Sequence, residues 1–144
     1  MRVGIAGYGV VGKTRHISIE KNTSFQIIAV SESNEETQKD IPAGIEIFDT
    51  YQDLIAGAEL DIIFISLPNK FASEATSLSL QKGLHVFCEK PPAKTLSELI
   101  SVQNILSKRP NLKLMYGFNH RFHLSVEEAK SIINKNTLGK IINM

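Results

Sequence analysis

Val3-Gly4-Ile5-Ala6-Gly7-Tyr8-Gly9-Val10-Val11-Gly12 is a short apolar run that breaks into three glycines at a fixed spacing. Val3 to Ala6 has the length of a buried strand, and a helix follows from about Val11 to Glu20. Between them Gly7 allows a tight turn, Gly9 lets the backbone approach a ligand, and Gly12 permits close packing of helix on strand. A strand, a glycine turn and a helix in that order leave free N–H groups at the positive end of the helix, where phosphates bind.

Working outward, strands and helices alternate, which predicts an α/β fold with a mostly parallel sheet. Phe25 to Ser31 reads as a second strand, apolar enough for a sheet covered on both faces. The polar stretch Glu32 to Asp40 allows only a short helix, and Ile45 to Phe48 is a third, brief strand. Asp49 or Thr50 caps a helix ending at Gly57. Asp61 to Leu67 is the clearest buried strand; it stops at Pro68, and Asn69 is expected to cap a helix ending at Gly83. Leu84 to Cys88 is a fifth strand. Thr95 and Glu98 form a capping box for a helix to about Lys108, which Pro110 ends. Leu112 to Phe118 is a sixth strand, and Ser125 with Glu128 predicts one more helix. Ile141 to Met144 reads as the start of another strand, so the chain is expected to break off inside a second domain.

Glu32 closes the second strand 25 residues after Gly7. An acidic side chain there accepts hydrogen bonds from an adenosine ribose and favours NAD over a 2′-phosphorylated cofactor. Ser33 and Asn34 are small polar groups that would tolerate such a phosphate, so NADP stays open. The same glycines also satisfy a phosphate-loop pattern, Gly7 to Gly12 followed by Lys13 and Thr14. A nucleotide triphosphatase, however, needs an acidic residue leaving an apolar strand to hold magnesium. Here Asp61 stands at the wrong end of its strand. Val10 and Val11 are bulky for a loop wrapped around phosphates and suit the first turn of a helix packed on a sheet. The dinucleotide reading is favoured.

Composition narrows the function classes. Of 144 residues, 42% are hydrophobic and 22% charged, a globular balance. A formal net charge of +1, with no cationic run longer than Lys108-Arg109, argues against nucleic acid or an anionic membrane surface. No apolar stretch is long enough to span a bilayer, and the glycines interrupt any signal-peptide core. A single cysteine, Cys88, forms no internal disulfide and fits a reducing, cytoplasmic setting. His16, His85, His120 and His123 lack metal-ligand spacing, so no metal is expected. His85 is expected to be packed inside its strand.

Ligands of open α/β sheets bind beyond the carboxyl ends of the strands. Ser66-Leu67-Pro68-Asn69, Glu89-Lys90-Pro91 and Asn119-His120-Arg121 all fall there, on the same edge as the glycine turn. Lys90, directly after a buried strand, is placed to exchange a proton with a substrate hydroxyl if desolvated. Together with Ala29-Val30-Ser31-Glu32, the stretch Gly83-Leu84-His85-Val86-Phe87-Cys88 ahead of Glu89 and the segment Gly117-Phe118-Asn119-His120-Arg121-Phe122, these motifs make the chain resemble the Gfo/Idh/MocA family throughout its length.

The resemblance implies a doubly wound Rossmann domain over residues 1–118, with residues 119–144 crossing into a second α+β domain. It implies NAD(P)-dependent oxidoreduction at a hydroxyl-bearing carbon of a sugar, cyclitol or similar polyol. It places Lys90 beside nicotinamide and substrate as the catalytic residue, with Pro91 in an unusual peptide geometry. Expected cofactor contacts are Gly7, Tyr8, Gly9, Val10, Val11, Gly12, Glu32, Ser66, Leu67, Pro68, Asn69, Glu89, Lys90, Pro91 and Asn119. His120 and Arg121 are candidates for substrate. Ala72 departs from the family, which often carries a histidine there. The chain alone is expected to bind cofactor with little turnover, and the full-length parent to be a homo-oligomer. The other classes are a cofactor-sensing protein without catalysis and the phosphohydrolase.

Overall fold

The computed structural model describes residues 1–136 together with 139, 140 and 142. Val3 and Ile5 point to one side of the first strand, β1 (Arg2–Ala6), and Gly4 and Ala6 to the other, so both faces of the sheet need a cover. The helices that supply it follow β1 in strict alternation. They are α1 (Val10–Glu20), β2 (Gln26–Ser31), α2 (Glu35–Gln38), β3 (Glu46–Phe48) and α3 (Tyr51–Gly57), then β4 (Ile62–Ile65), α4 (Asn69–Lys82), β5 (His85–Cys88), α5 (Leu96–Ser107) and β6 (Leu114–Tyr116). A 3-10 turn, Asn119–Phe122, leads into α6 (Leu124–Asn134).

The six strands pair in parallel in the order β3-β2-β1-β4-β5-β6. The chain therefore reverses direction across the sheet between β1 and β4, which opens a crevice at their carboxyl ends. Two apolar layers sandwich the sheet. Val3, Ile5, Ile19, Val30 and Ile41 fill the α1 side. Leu54, Ile63, Ile65, Ala75, Leu80, Val86 and Val102 fill the side covered by α3, α4 and α5. Residues as large as Leu54, Ile63 and Leu80 are fully excluded from water, and each contributes roughly 1.5–3 kcal/mol by burial.

Most expected boundaries lie within two residues of those observed. Thr50 caps α3 through the Asp53 N–H, and Thr95 caps α5 through the Glu98 N–H. Two caps differ. Asn69 is already the first residue of α4, and Pro68 precedes it with no side-chain cap. Ser125 lies inside the first turn of α6, because the carbonyl of His123 already accepts from the N–H groups of Val126 and Glu127. Val10 and Val11, expected against the sheet, begin α1 with 84% and 45% of their surface exposed. The 3-10 turn has no counterpart in the sequence reading. The strand expected over residues 141–144 falls outside the described residues except at Ile142. No helix among the described residues is long and apolar enough to cross a membrane.

Candidate functional site

One residue past its strand, each motif residue is still hooked to the neighbouring strand. Gly7 N–H donates to the Ser31 carbonyl (2.9 Å), Ser66 N–H to Ala6 (2.8 Å), Glu32 N–H to Phe48 (3.0 Å), Glu89 N–H to Ile65 (2.9 Å) and Gly117 N–H to Cys88 (2.9 Å). The parallel ladder thus carries the motifs along one edge of the sheet in a fixed order. At the β2-β1-β4 end of this edge lies a cleft of about 710 Å³. Gly7, Gly9, Val10, Val11, Glu32, Ser66, Leu67 and Pro68 line it, as expected. Ser31, Ser33, Asp49, Thr50, Tyr51, Gln52 and Phe71 also line it and were not anticipated as a group. The positions of Asp49, Thr50, Tyr51 and Gln52 follow from β3 lying beside β2, which local sequence does not specify.

The glycines divide their work. Gly7 has a φ of +87°, and a Cβ there would lie 2.8 Å from the Ser66 carbonyl oxygen. At Gly12 a Cβ would stand 2.1 Å from the carbonyl oxygen of Gly7, so α1 rests directly on the turn. A Cβ at Gly9 would meet nothing within 4 Å, which leaves open space where a ligand would approach. α1 begins at Gly9 and α4 at Pro68 with no side-chain cap, whereas α2, α3 and α5 are capped by Asn34, Thr50 and Thr95. Of the helices that start at the cleft, α1 and α4, unlike the capped α3, thus keep N–H groups for an anion. The hydroxyl oxygens of Ser31 and Ser66 are buried on either side of Gly7 and hydrogen-bond to nothing among the described residues.

Glu32 is set in place before any ligand arrives. Its carboxylate accepts from the Tyr8 N–H and the Asn34 N–H, both at 3.0 Å, and its carbonyl accepts from the Gln38 side-chain amide at 2.6 Å. Two bonds to Oε2 and Oε1 leave lone pairs for further donors, the chemistry of a ribose diol. Among the described residues lining the cleft, the charged ones are Glu32 and Asp49, both acidic. A 2′-phosphate would meet repulsion there with no cation in compensation. Tyr51 is buried beside Phe71, ring centroids 5.9 Å apart. Its phenol is pushed up to about 12 by burial and then by Glu74. These rings and Leu67 give the cleft an apolar wall. Tyr8 takes part only through its backbone, since its ring is buried and its hydroxyl meets His16 Nδ1 at 2.9 Å.

The phosphate-loop alternative fails on geometry. The Lys13 ammonium is ion-paired with Asp40, and the Thr14 hydroxyl donates to the Val10 carbonyl at 2.9 Å inside its own helix. Both side chains are thus already engaged by protein groups. Asp61 accepts from the Arg2 N–H at 2.6 Å at the opposite end of the sheet.

The second constellation sits further along the edge, beyond β5 and β6. The Lys90–Pro91 peptide is cis, matching the geometry expected at this proline. Lys90 is exposed, so the desolvation anticipated for it is not provided by the described residues. Glu89 is buried and its carboxylate is held by Arg15. Arg15 also reaches Asn119 Oδ1 at 3.4 Å. Asn69, Glu89, Lys90, Pro91 and Asn119 do not line the cleft. His120 and Arg121 are exposed, with the His120 ring 4.7 Å from that of His123 and the Arg121 guanidinium 5.8 Å from the Phe122 ring. His85 is half-buried and its Nδ1 accepts from the Lys113 N–H at 3.1 Å, a packed rather than chemical role. Cys88 is fully buried and its thiol is pushed up to about 11, first by burial. Ala72 is buried in the core. No group of three or more His, Cys, Asp or Glu that could hold a metal occurs among the described residues.

Comparison with known proteins agrees with this geometry. The chain is 28% identical to the D-glucoside 3-dehydrogenase of Escherichia coli strain K12, over 98% of its own length and 41% of that protein. The scyllo-inositol dehydrogenase of Lactobacillus casei, solved with bound NAD(H) and scyllo-inositol, superposes with a TM-score of 0.88 at 28% identity, covering 98% of this chain and 43% of that one. The myo-inositol 2-dehydrogenase of Lactobacillus plantarum superposes with a TM-score of 0.87 at 30% identity, over 99% and 43%. The chain therefore spans about two fifths of the relatives it matches. Residues 1–118 match the model of the oxidoreductase family with an NAD-binding Rossmann fold, and the chain belongs to that GFO_IDH_MocA family.

Proposed function

We propose that this chain is the cofactor-holding part of a dehydrogenase acting on a hydroxyl-bearing carbon of a sugar or cyclitol, with NAD preferred over NADP. The observation that carries the reading is the Glu32 carboxylate, set by the Tyr8 and Asn34 N–H groups at the mouth of a cleft whose other charge is also negative. Glu32 would accept from the ribose hydroxyls of the adenosine, and the uncapped ends of α1 and α4 would hold the pyrophosphate. Tyr51, Phe71 and Leu67 give the adenine an apolar bed. NAD, when bound, supplies hydride transfer at nicotinamide C4.

Beyond β5, Lys90 holds or moves the proton of the substrate hydroxyl through its ammonium. Pro91 and Asn119 shape the nicotinamide side, and His120 and Arg121 serve the substrate. Residues 1–118 act as the dinucleotide domain and 119–144 as the crossover to a substrate domain. The polyol class is supported by the dehydrogenases of glucoside and inositol among the relatives. A cytoplasmic location fits the reduced, buried Cys88, and the parent is read as a homo-oligomer.

Calorimetric titration of the chain with NADH, NADPH and Mg-ATP tests the reading. Saturable NADH binding that exceeds NADPH binding supports it. Binding of Mg-ATP alone overturns it.

A further inference from the structure

We infer that Arg15 is a positioning residue that ties the Glu89-Lys90-Pro91 turn and Asn119 to the helix that opens at the glycine turn. This rests on the dinucleotide reading above. Arg15 lies in the second turn of α1, on the side facing β5. Its Nε donates to Glu89 Oε1 at 2.5 Å, and its Nη2 joins the same carboxylate and reaches Asn119 Oδ1 at 3.4 Å. The guanidinium lies 5.0 Å from the centroid of the Phe87 ring, a cation–π contact that fixes its plane. Only 19% of the Arg15 side chain and 11% of the Glu89 side chain are exposed.

The carboxylate is fixed from the opposite side as well. A Cβ at Gly117 would lie 2.8 Å from Glu89 Oε2, so the backbone leaving β6 closes directly over it. Arginine alone among the side chains presents a planar fork able to serve a carboxylate and an amide oxygen at once. Among the described residues, the side-chain hydrogen bonds from α1 to the β5 turn and to the β6 crossover are those of Arg15. Glu89 is covalently next to Lys90, and its Oε1 is engaged in this tie. The motif glutamate therefore acts on the site through its neighbours and through Arg15. The consequence is directional: losing Arg15 loosens the nicotinamide side and leaves the adenosine side, held by Glu32 and the cleft, in place.

ADP-ribose carries the adenosine and pyrophosphate without the nicotinamide, so it separates the two ends. The chain and its Arg15→Met variant are titrated with NADH and with ADP-ribose, and the emission of bound NADH is recorded. The expected result is an NADH affinity lower by about tenfold and loss of the blue shift of nicotinamide emission, with ADP-ribose affinity kept within about twofold. Equal losses for both ligands, or no change for either, overturn the inference. A wild-type chain that binds neither ligand overturns the dinucleotide reading itself and this inference with it. Because Arg15→Met strands a buried carboxylate, the double variant Arg15→Met/Glu89→Gln is measured alongside; the same pattern is expected. Failure of both variants to melt cooperatively assigns the pair to folding alone and overturns the positioning role.

Discussion

Gly9 and Gly12 stand three residues apart in one motif, and the structure predicts opposite consequences for placing alanine at each. At Gly12 the new Cβ would sit 2.1 Å from the Gly7 carbonyl oxygen and 3.0 Å from its carbon. Contacts below 3 Å between such atoms are not sustained, so α1 must retreat by about 1 Å from β1, an overpacking cost at the upper end of about 1–3 kcal/mol. Alanine recovers about 1 kcal/mol of helix propensity. The net loss of about 2 kcal/mol lowers the melting temperature by about 6–8 °C for a chain of this size. At Gly9 the Cβ meets nothing within 4 Å. Gly9→Ala therefore costs folding about 1 kcal/mol or less, the difference between glycine and alanine at an N-cap. Its methyl occupies the space through which a pyrophosphate reaches the N–H groups of α1. Losing one charge-assisted hydrogen bond, about 1.5–3 kcal/mol, weakens NADH by about 10- to 100-fold. Thermal melting and calorimetry on both variants resolve the pair. A Gly9→Ala chain that binds NADH as tightly as wild type refutes the placement of the pyrophosphate, and an unaltered melting point for Gly12→Ala refutes the close approach of α1.

Glu32→Ala removes the acceptor fixed by the Tyr8 and Asn34 N–H groups. NADH affinity should fall by about tenfold or more while NADPH affinity holds or rises; equal losses for the two would show that Glu32 does not select the cofactor. Lys90→Met, made in a full-length protein containing this chain, should reduce turnover by about 100-fold or more with NADH affinity nearly unchanged, since Lys90 does not line the cleft; full activity would remove it from catalysis. Alkaline pH should destabilise the chain. Burial pushes Cys88 from 9.0 to about 11, and Tyr51 and Tyr116 from 10.0 to about 12. The unfolded chain then loses these protons first, binding fewer than the native state, so stability falls as pH rises between about 9 and 12. Melting temperatures that stay flat from pH 8 to 11 would contradict these burials.

What the sequence conveyed was local. A strand ending in Gly7-x-Gly9-x-x-Gly12 gave the turn and the contact of Gly12 on the Gly7 carbonyl, five positions away, but not the approach of Gly7 to Ser66 on a neighbouring strand. Thr95 and Glu98 gave a cap for the same reason. Asn69 and Ser125 were misread as caps because a residue type that suits a cap also tolerates the first turn. The choice between those places depends on where the preceding element releases the chain, here at Pro68 after β4 and at His123 after the 3-10 turn. Tyr51, Gln52 and Phe71 were invisible as site residues because only the order β3-β2-β1-β4 brings them to the cleft. No spacing in the sequence encodes that neighbour relation.

The valines and Glu89 show how burial sorts the residues of one motif. Val10 and Val11, suited by bulk to a helix packed on a sheet and also expected to contact the cofactor, stand exposed at the free end of α1 and line the cleft. Glu89, a cofactor contact by the family resemblance, is buried, and its Oε1 is held by Arg15. A motif records which residues must be present, but burial decides whether each acts on a ligand or on its neighbours. A carboxylate next to a basic residue at the end of a buried strand is solvated only if no cation reaches it from an adjacent element. In this chain α1 delivers that cation 74 positions away in sequence. The helix that opens at the glycine turn therefore presents its first turn to one end of the site and steadies the other end through its second.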